Sequence, residues 1–305
     1  MIKIGIIGMS AGNAHPYSWT AIINGAFDSK EIDNAGFPAV SEYLNANKST
    51  LGVMGAEVTH IWCEDKDQAE SIARSGQIGT VVDNLSDIVG KVDAVILARD
   101  DPDRHWEMAV PFLDAGIPIF VDKPLTVRMD ELDRYEAYVD QGKFLMSCSS
   151  MRYAAEVLAA KASISKLGPI HLLTVVGKKD WRKYGVHMVE ALMSMLDDPK
   201  PISVQYLGKS DYDLVLLEIN PNCFASIHLI ADIVPTFQLS IYGEKDWELI
   251  DIRNFYSMFK ENILEFVKSV QQGRPTLDFD RTQNVIKIIA AALRSKERNN
   301  ERIYF

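Results

Sequence analysis

Along the first half of the chain, short apolar runs alternate with segments whose apolar residues recur every three or four positions. The runs "IKIGIIG", "VTHIW", "DAVILA", "IPIFV" and "KFLMS" are of strand length and apolar almost throughout, the pattern of strands covered on both faces. Between them, "DQAESIARS", "HWEMAVPFLDAG" and "MDELDRYEAYVDQG" have helical periodicity, and Gly116 and Gly142 mark helix ends. Strand and helix in alternation predict βαβ units and a doubly wound parallel sheet, an α/β domain over residues 1–148 whose ligands bind at the carboxyl ends of the strands. Residues 27–51 are long for a connection, and "AVSEYLNA" inside them predicts a short helix.

After residue 148 the rhythm changes. "IHLLTVVG", "SVQYLG", "YDLVLLEI", "CFASIHLI" and "FQLSIYG" follow one another with turn signals such as "NPN", predicting an antiparallel meander. Helices are expected around "FKENILEFVKSV" and "NVIKIIAAALRSK", the second with Val285, Ile288, Ile289, Ala292 and Leu293 on one face. Residues 149–305 therefore read as a second, α+β domain.

With 305 residues, a net charge of -10 and 24% charged residues, the composition is that of an ordinary globular protein. The acidic total argues against nucleic-acid and anionic-membrane partners, which need a positive field, but it does not exclude a small anionic ligand. The three cysteines, Cys63, Cys148 and Cys223, are far apart and show no metal-ligand spacing, as expected of a reducing cytoplasm. Strand-like sequence starts at Ile2, no apolar run approaches a membrane span, and a cytoplasmic location is the expectation.

The chemistry worth weighing lies where strands end. After the first run, "GMSAGNAHPYSW" starts like a phosphate-binding turn: Gly8 takes the first glycine's place, while Ser10 and Asn13 stand where the second and third glycines would be. Gly8, Met9, Ser10 and Ala11 are the candidate cofactor contacts, against a plain strand-to-helix turn. Pro16 suits a helix's first turn, so the helix is expected to start near His15 or Pro16. The second strand ends in "IWCEDKD", where Glu64, or next to it Asp65, could accept hydrogen bonds from a ribose and disfavour a 2′-phosphate. Equally, these acids could only complement a helix dipole. Lys66 weakens the lean toward NAD over NADP. Asp101 in "ARDDPDRH" and Asp122 and Lys123 in "FVDKPLT" follow buried strands, and a lysine there suits proton transfer, although "DKP" alone is a turn tripeptide. Finally, "GKKDWRKYGVHMVE" puts His187 near a helix start and Glu190 one turn on, behind Lys178, Lys179, Arg182, Lys183, Trp181 and Tyr184. This cluster is either a solvated face or the lining of a polar or anionic pocket.

Taken together, "DKPLT", "RDDPDRH", "SSMRY", "YGVHMVE" and the closing helix, in this order, resemble the Gfo/Idh/MocA family of nicotinamide-dependent dehydrogenases, over essentially the whole chain. The resemblance implies a Rossmann domain followed by an α+β domain on an open antiparallel sheet, one face of which commonly forms a subunit interface. It also implies NAD as cofactor, with NADP not excluded, and a homodimer or homotetramer. Lys123 would contact the hydroxyl being oxidised, His187 would be the general acid or base, and the Lys123-Pro124 bond is a candidate for cis. Arg152, Tyr153, Trp181, Lys183 and Glu190 fall on the substrate side, the substrate being a polyhydroxy small molecule. Where many members carry an aspartate four residues before the histidine, this chain has Lys183, which suggests an anionic substrate and leaves Glu190 to reach His187. The altered opening loop would carry His15, Tyr17 and Trp19 toward the substrate. Two other readings of the same features are an oxidation-elimination enzyme acting on glycosides and a non-catalytic nucleotide- or sugar-binding regulator.

Overall fold

The computed structural model describes all residues, 1–305, and divides into two compact units. The first comprises residues 1–126, 130–148 and 259–279, the second residues 127–129, 149–258 and 280–305. The first unit includes residues 259–279, which the sequence reading placed in the second. The reason is aromatic packing: Phe259 meets Trp19 and Tyr43, and Phe266 meets Phe120 and Phe144, so this segment completes the first unit's core.

The first unit is built on six strands, β1 (Ile2–Ile7), β2 (Ala56–Trp62), β3 (Thr80–Val81), β4 (Ala94–Leu97), β5 (Ile119–Val121) and β6 (Leu145–Met146). They form a wholly parallel sheet in the order β3-β2-β1-β4-β5-β6. Every residue of β4 and β5 is buried, which is why these runs are apolar without alternation. Helices α1 (His15–Asn24), α2 (Ser29–Asn34), α3 (Pro38–Ala46), α4 (Lys66–Gly76), α5 (His105–Asp114) and α6 (Met129–Asp140) supply the crossovers. The start of α1 and the helix inside residues 27–51 match the sequence reading. Local signals set the ends: Asp28 caps α2 through Lys30 and Glu31, and Gly25 closes α1 at φ 72°. The strand order reverses between β1 and β4; the loops at 8–14 and 98–104 leave the carboxyl ends of these two strands, and the loop from 122 leaves that of the adjacent β5.

In the second unit, α7 (Ala155–Ser163) precedes β7 (Ile170–Lys178), α8 (Trp181–Met195), β8 (Ser203–Tyr206), β9 (Tyr212–Asn220), β10 (Cys223–Ile230), β11 (Phe237–Gly243) and β12 (Trp247–Asp251). Then α9 (Phe255–Gln272), α10 (Phe279–Glu297) and β13 (Ile303–Tyr304) close the chain. The sheet order is β12-β11-β7-β10-β9-β8-β13. It is not a pure antiparallel meander: β7 and β10 run parallel, because α8 carries the chain back before β8, β9 and β10 are laid down. β9 and β10 alternate strictly between buried and half-buried positions, so one face is packed and the other open. No helix in the chain is long and apolar enough to cross a membrane.

Candidate active site

In the first unit, three backbone hydrogen bonds hold four strand ends side by side: Gly8 N–H to Trp62 O at 3.0 Å, Ala98 N–H to Ile7 O at 2.8 Å and Asp122 N–H to Leu97 O at 2.9 Å. Side chains then join the loops. Ser10 donates its hydroxyl to Asp100 Oδ1 at 2.7 Å and accepts the Asp100 N–H at 3.0 Å. Asn13 accepts the His15 N–H at 2.8 Å and donates to Ala98 O at 3.4 Å. The two residues that replace glycines therefore tie the first loop to the fourth strand's end. Gly8 is a glycine for a steric reason, since a Cβ there would lie 2.6 Å from Pro16 Cγ.

Lys123 is buried, its Nζ 3.8 Å from Asp100 Oδ2, and it follows Asp122, whose Oδ1 accepts the Lys123 N–H at 2.8 Å. The Lys123-Pro124 bond is cis. Asp122 Oδ2 lies 2.6 Å from His15 Nδ1, so Ser10, Asp100, Lys123, Asp122 and His15 form one connected group. His105 is wholly buried, and its two ring nitrogens face Leu125 O at 3.2 Å and Arg99 O at 3.1 Å. It thus clips the "DKPL" turn to the "RDD" turn, and burial pushes its pKa down.

Glu64 stands just past β2. Its Oε2 accepts from Arg99 Nη1 at 3.0 Å and its Oε1 from Arg104 Nη2 at 2.8 Å. Partial burial opposes ionisation, but the two guanidinium groups outweigh it and hold the carboxyl below its ordinary range. Arg99 also holds Asp101 through both carboxylate oxygens, so Asp101 positions Arg99. Asp65 caps α4 by accepting from Asp67 and Gln68. These residues fit a dinucleotide: Ala11 and Gly12 are exposed with N–H groups unspent within the protein, space is open beside Gly12, and each Glu64 oxygen has acceptor capacity left for a ribose.

In the second unit His187 lies in the second turn of α8, which starts at Trp181, earlier than the sequence suggested. It is nearly buried; Nδ1 meets Ser149 Oγ at 2.6 Å, and Tyr184 and Phe237 pack edge-on against the ring. Glu190 does not serve this histidine. Its Oε2 accepts from Arg152 Nε at 2.7 Å, and the other Arg152 nitrogens grip Asp198 at 3.0 and 2.7 Å, with Arg281 also on Asp198. Burial pushes the Glu190 carboxyl up, and Arg152 only partly offsets it.

Five of the expected substrate residues are buried. Tyr17 is 2% exposed and donates to Ser71 Oγ, and Trp19 is 1% exposed among Phe120 and Phe259: the two point to opposite sides of α1, and both are covered because every residue from Pro16 to Ile23 is buried. Trp181, equally buried, donates its indole N–H to Ile289 O at 3.1 Å, which makes it a core residue. Arg152, with Glu190, belongs to a buried charge cluster that also holds Asp198 and Arg281. Tyr153 and Lys183 remain half-buried. Asp100, Arg99, His105, Ser149 and Asp198 were missed; a run such as "ARDD" after a buried strand was the available signal, but which charges pair depends on loops distant in sequence.

Residues 2–147 match the family model described as "Oxidoreductase family, NAD-binding Rossmann fold" (GFO_IDH_MocA). Among curated proteins, a putative oxidoreductase, YceM, of Salmonella typhimurium is 24% identical over 196 residues, 61% of this chain and 62% of that protein. Inositol 2-dehydrogenase 3 of Saccharopolyspora erythraea is 33% identical over 107 residues, 34% of this chain and 31% of that one. The matches thus span under two thirds of either relative. Among solved structures, the myo-inositol dehydrogenase of Lactobacillus casei, in complex with NAD(H) and myo-inositol, is similar with a TM-score of 0.78 at 16% identity, covering 100% of this chain and 97% of that one. A probable dehydrogenase of Thermotoga maritima gives 0.77 at 15%, covering 99% and 98%. At such identities the likeness is one of fold.

Proposed function

Because the chain belongs, through residues 2–147, to the Gfo/Idh/MocA oxidoreductase family with its NAD-binding Rossmann fold, we propose that it is an NAD-dependent dehydrogenase. Its substrate in this reading is a secondary hydroxyl of a sugar, cyclic polyol or sugar acid, or in reverse the ketone. The observation that carries the reading is the buried Lys123, at the carboxyl end of β5 beside Asp122 and within 3.8 Å of Asp100, which follows β4. When bound, NAD supplies the hydride acceptor. Glu64 would take the ribose hydroxyls, and the N–H groups of Ala11 and Gly12 the phosphates. Lys123 would donate to the carbinol oxygen and stabilise its developing charge. In the second unit, His187 is the proposed substrate-contacting imidazole and the half-buried Lys183 the residue that would favour an anionic substituent. Leu172, Tyr242, Trp247 and Leu249 lie exposed on one face of the second unit's sheet, which supports assembly into a homodimer or homotetramer through that face.

The test combines calorimetric titration with NAD and NADP and an assay of cofactor reduction on a panel of cyclic polyols and sugar acids. Tight NAD binding with turnover that falls by at least about 10²-fold in Lys123→Met, binding being kept, is expected. Binding without turnover on any substrate would instead point to a regulator.

A further inference from the structure

Glu64, the acid at the end of β2, is held by two arginines in different situations. Arg99 is 4% exposed and spent: Nη1 donates to Glu64 Oε2 at 3.0 Å, while Nε and Nη2 hold the two oxygens of Asp101 at 2.8 and 2.5 Å. Arg104 reaches Glu64 Oε1 at 2.8 Å through Nη2, but its side chain is 44% exposed, about as open as that of Glu64. Its Nε donates to the exposed Glu107, and Nη1 has no partner in the protein. Local helix stability gives no reason for an arginine at this position. Arg104 is the N-cap of α5, makes no capping hydrogen bond, and sets a cation at the positive end of the helix dipole. What its side chain does face is the acid assigned to the adenosine ribose. Lys66, the cation next to that acid in sequence, is turned instead to Asp83 at 2.7 Å, with both side chains exposed.

We propose that Arg104 is a specificity-determining residue that takes the 2′-phosphate of NADP, so that the chain binds both nicotinamide dinucleotides, NAD the more tightly. The inference rests on the dehydrogenase reading and deepens it at the ribose site. With NAD, Glu64 accepts from the ribose hydroxyls and Arg104 stays on Oε1. With NADP, the phosphate meets a carboxylate that repels it, and Arg104 exchanges that carboxylate for the phosphate, to which Nη1 and Nη2 offer parallel N–H groups. Arg99 makes the exchange possible: it keeps Oε2, so Glu64 is not stranded when Arg104 leaves. The cluster sets three carboxylates, Glu64, Asp101 and Glu107, against two guanidinium groups, a net charge of -1. That sign favours NAD, and removing Arg104 deepens it against a 2′-phosphate.

The probes are 5′-AMP and 2′,5′-ADP, which differ only by the 2′-phosphate and carry no nicotinamide, followed by NAD and NADP. Each is titrated calorimetrically into wild type, Arg104→Met, Arg104→Lys and Lys66→Met. Wild type should bind all four. Arg104→Met should weaken 2′,5′-ADP and NADP by about tenfold or more while 5′-AMP and NAD stay within about threefold, and Arg104→Lys should recover part of the loss. Lys66→Met should leave the discrimination as it is. Equal losses for all four nucleotides in Arg104→Met, or a loss confined to the 2′-phosphate in Lys66→Met with none in Arg104→Met, overturn the proposal. Wild type that binds 5′-AMP and NAD but neither 2′,5′-ADP nor NADP overturns it alone and leaves the dehydrogenase reading standing. Absence of binding by any of the four overturns both. Should Arg104→Met melt well below wild type, Arg104→Gln carries the same decision.

Discussion

Replacing Arg152 by methionine separates a substrate-binding role from a structural one. Its guanidinium is 6% exposed and holds Glu190, 2% exposed, and Asp198, 5% exposed. The substitution keeps the stem's packing but strands the Glu190 carboxylate, while Arg281 still covers Asp198. Removing one partner of a buried ion pair costs about 3–5 kcal/mol. At roughly 2–4 °C per kcal/mol for a domain of this size, the melting temperature should fall by about 6–20 °C. The pH dependence has a defined sign. The Glu190 carboxyl is already raised by burial with Arg152 opposing, so without Arg152 it rises further. A raised folded-state pKa stabilises fully below the unfolded value, near about 4.3, and that stability is lost as pH rises through the folded value. The deficit of Arg152→Met should therefore shrink on acidification from pH 7 toward pH 4. Circular dichroism melts across that range, with KM measured in parallel, decide the matter. A melt within about 2 °C of wild type at pH 7, joined to a raised KM, would refute the assignment and return Arg152 to the substrate.

Two further substitutions probe the cofactor side. Gly8→Ala sets a methyl 2.6 Å from a rigid proline ring atom; it should destabilise by about 1–3 kcal/mol and weaken NAD binding as the loop shifts, measured by melting and by calorimetry. Glu64→Gln removes the charged acceptor, so NAD affinity should fall about tenfold or more while NADP affinity falls less, read as a ratio of dissociation constants.

Much of the fold could be read directly. Runs such as "DAVILA" are apolar at both parities, a property only a doubly covered strand requires, and Asp28, Asp65, Gly25 and Pro16 act within a few residues of themselves, so their effects are local. The mixed character of the second sheet was not legible, because β7 has the same side-chain alternation whether its neighbour β10 runs parallel or antiparallel. Nor was the membership of residues 259–279, since an amphipathic helix shows that it has an apolar face but not which core that face fills.

At the candidate site the division is similar. The chain by itself determined which chemistry lies at strand ends: the interrupted glycine turn, the acid after β2 and the lysine before Pro124, because position after a buried strand is a matter of order along the chain. Tertiary structure alone decided the pairings. It turned Tyr17, Trp19 and Trp181 inward, joined Arg152 to Glu190 and Asp198, made Ser10 and Asn13 into ties between loops, and set His15 against Asp122. Such pairings join residues 38 to 107 positions apart, and hydrogen bonds and desolvation act over a few ångströms of space, a distance that only the folded chain defines.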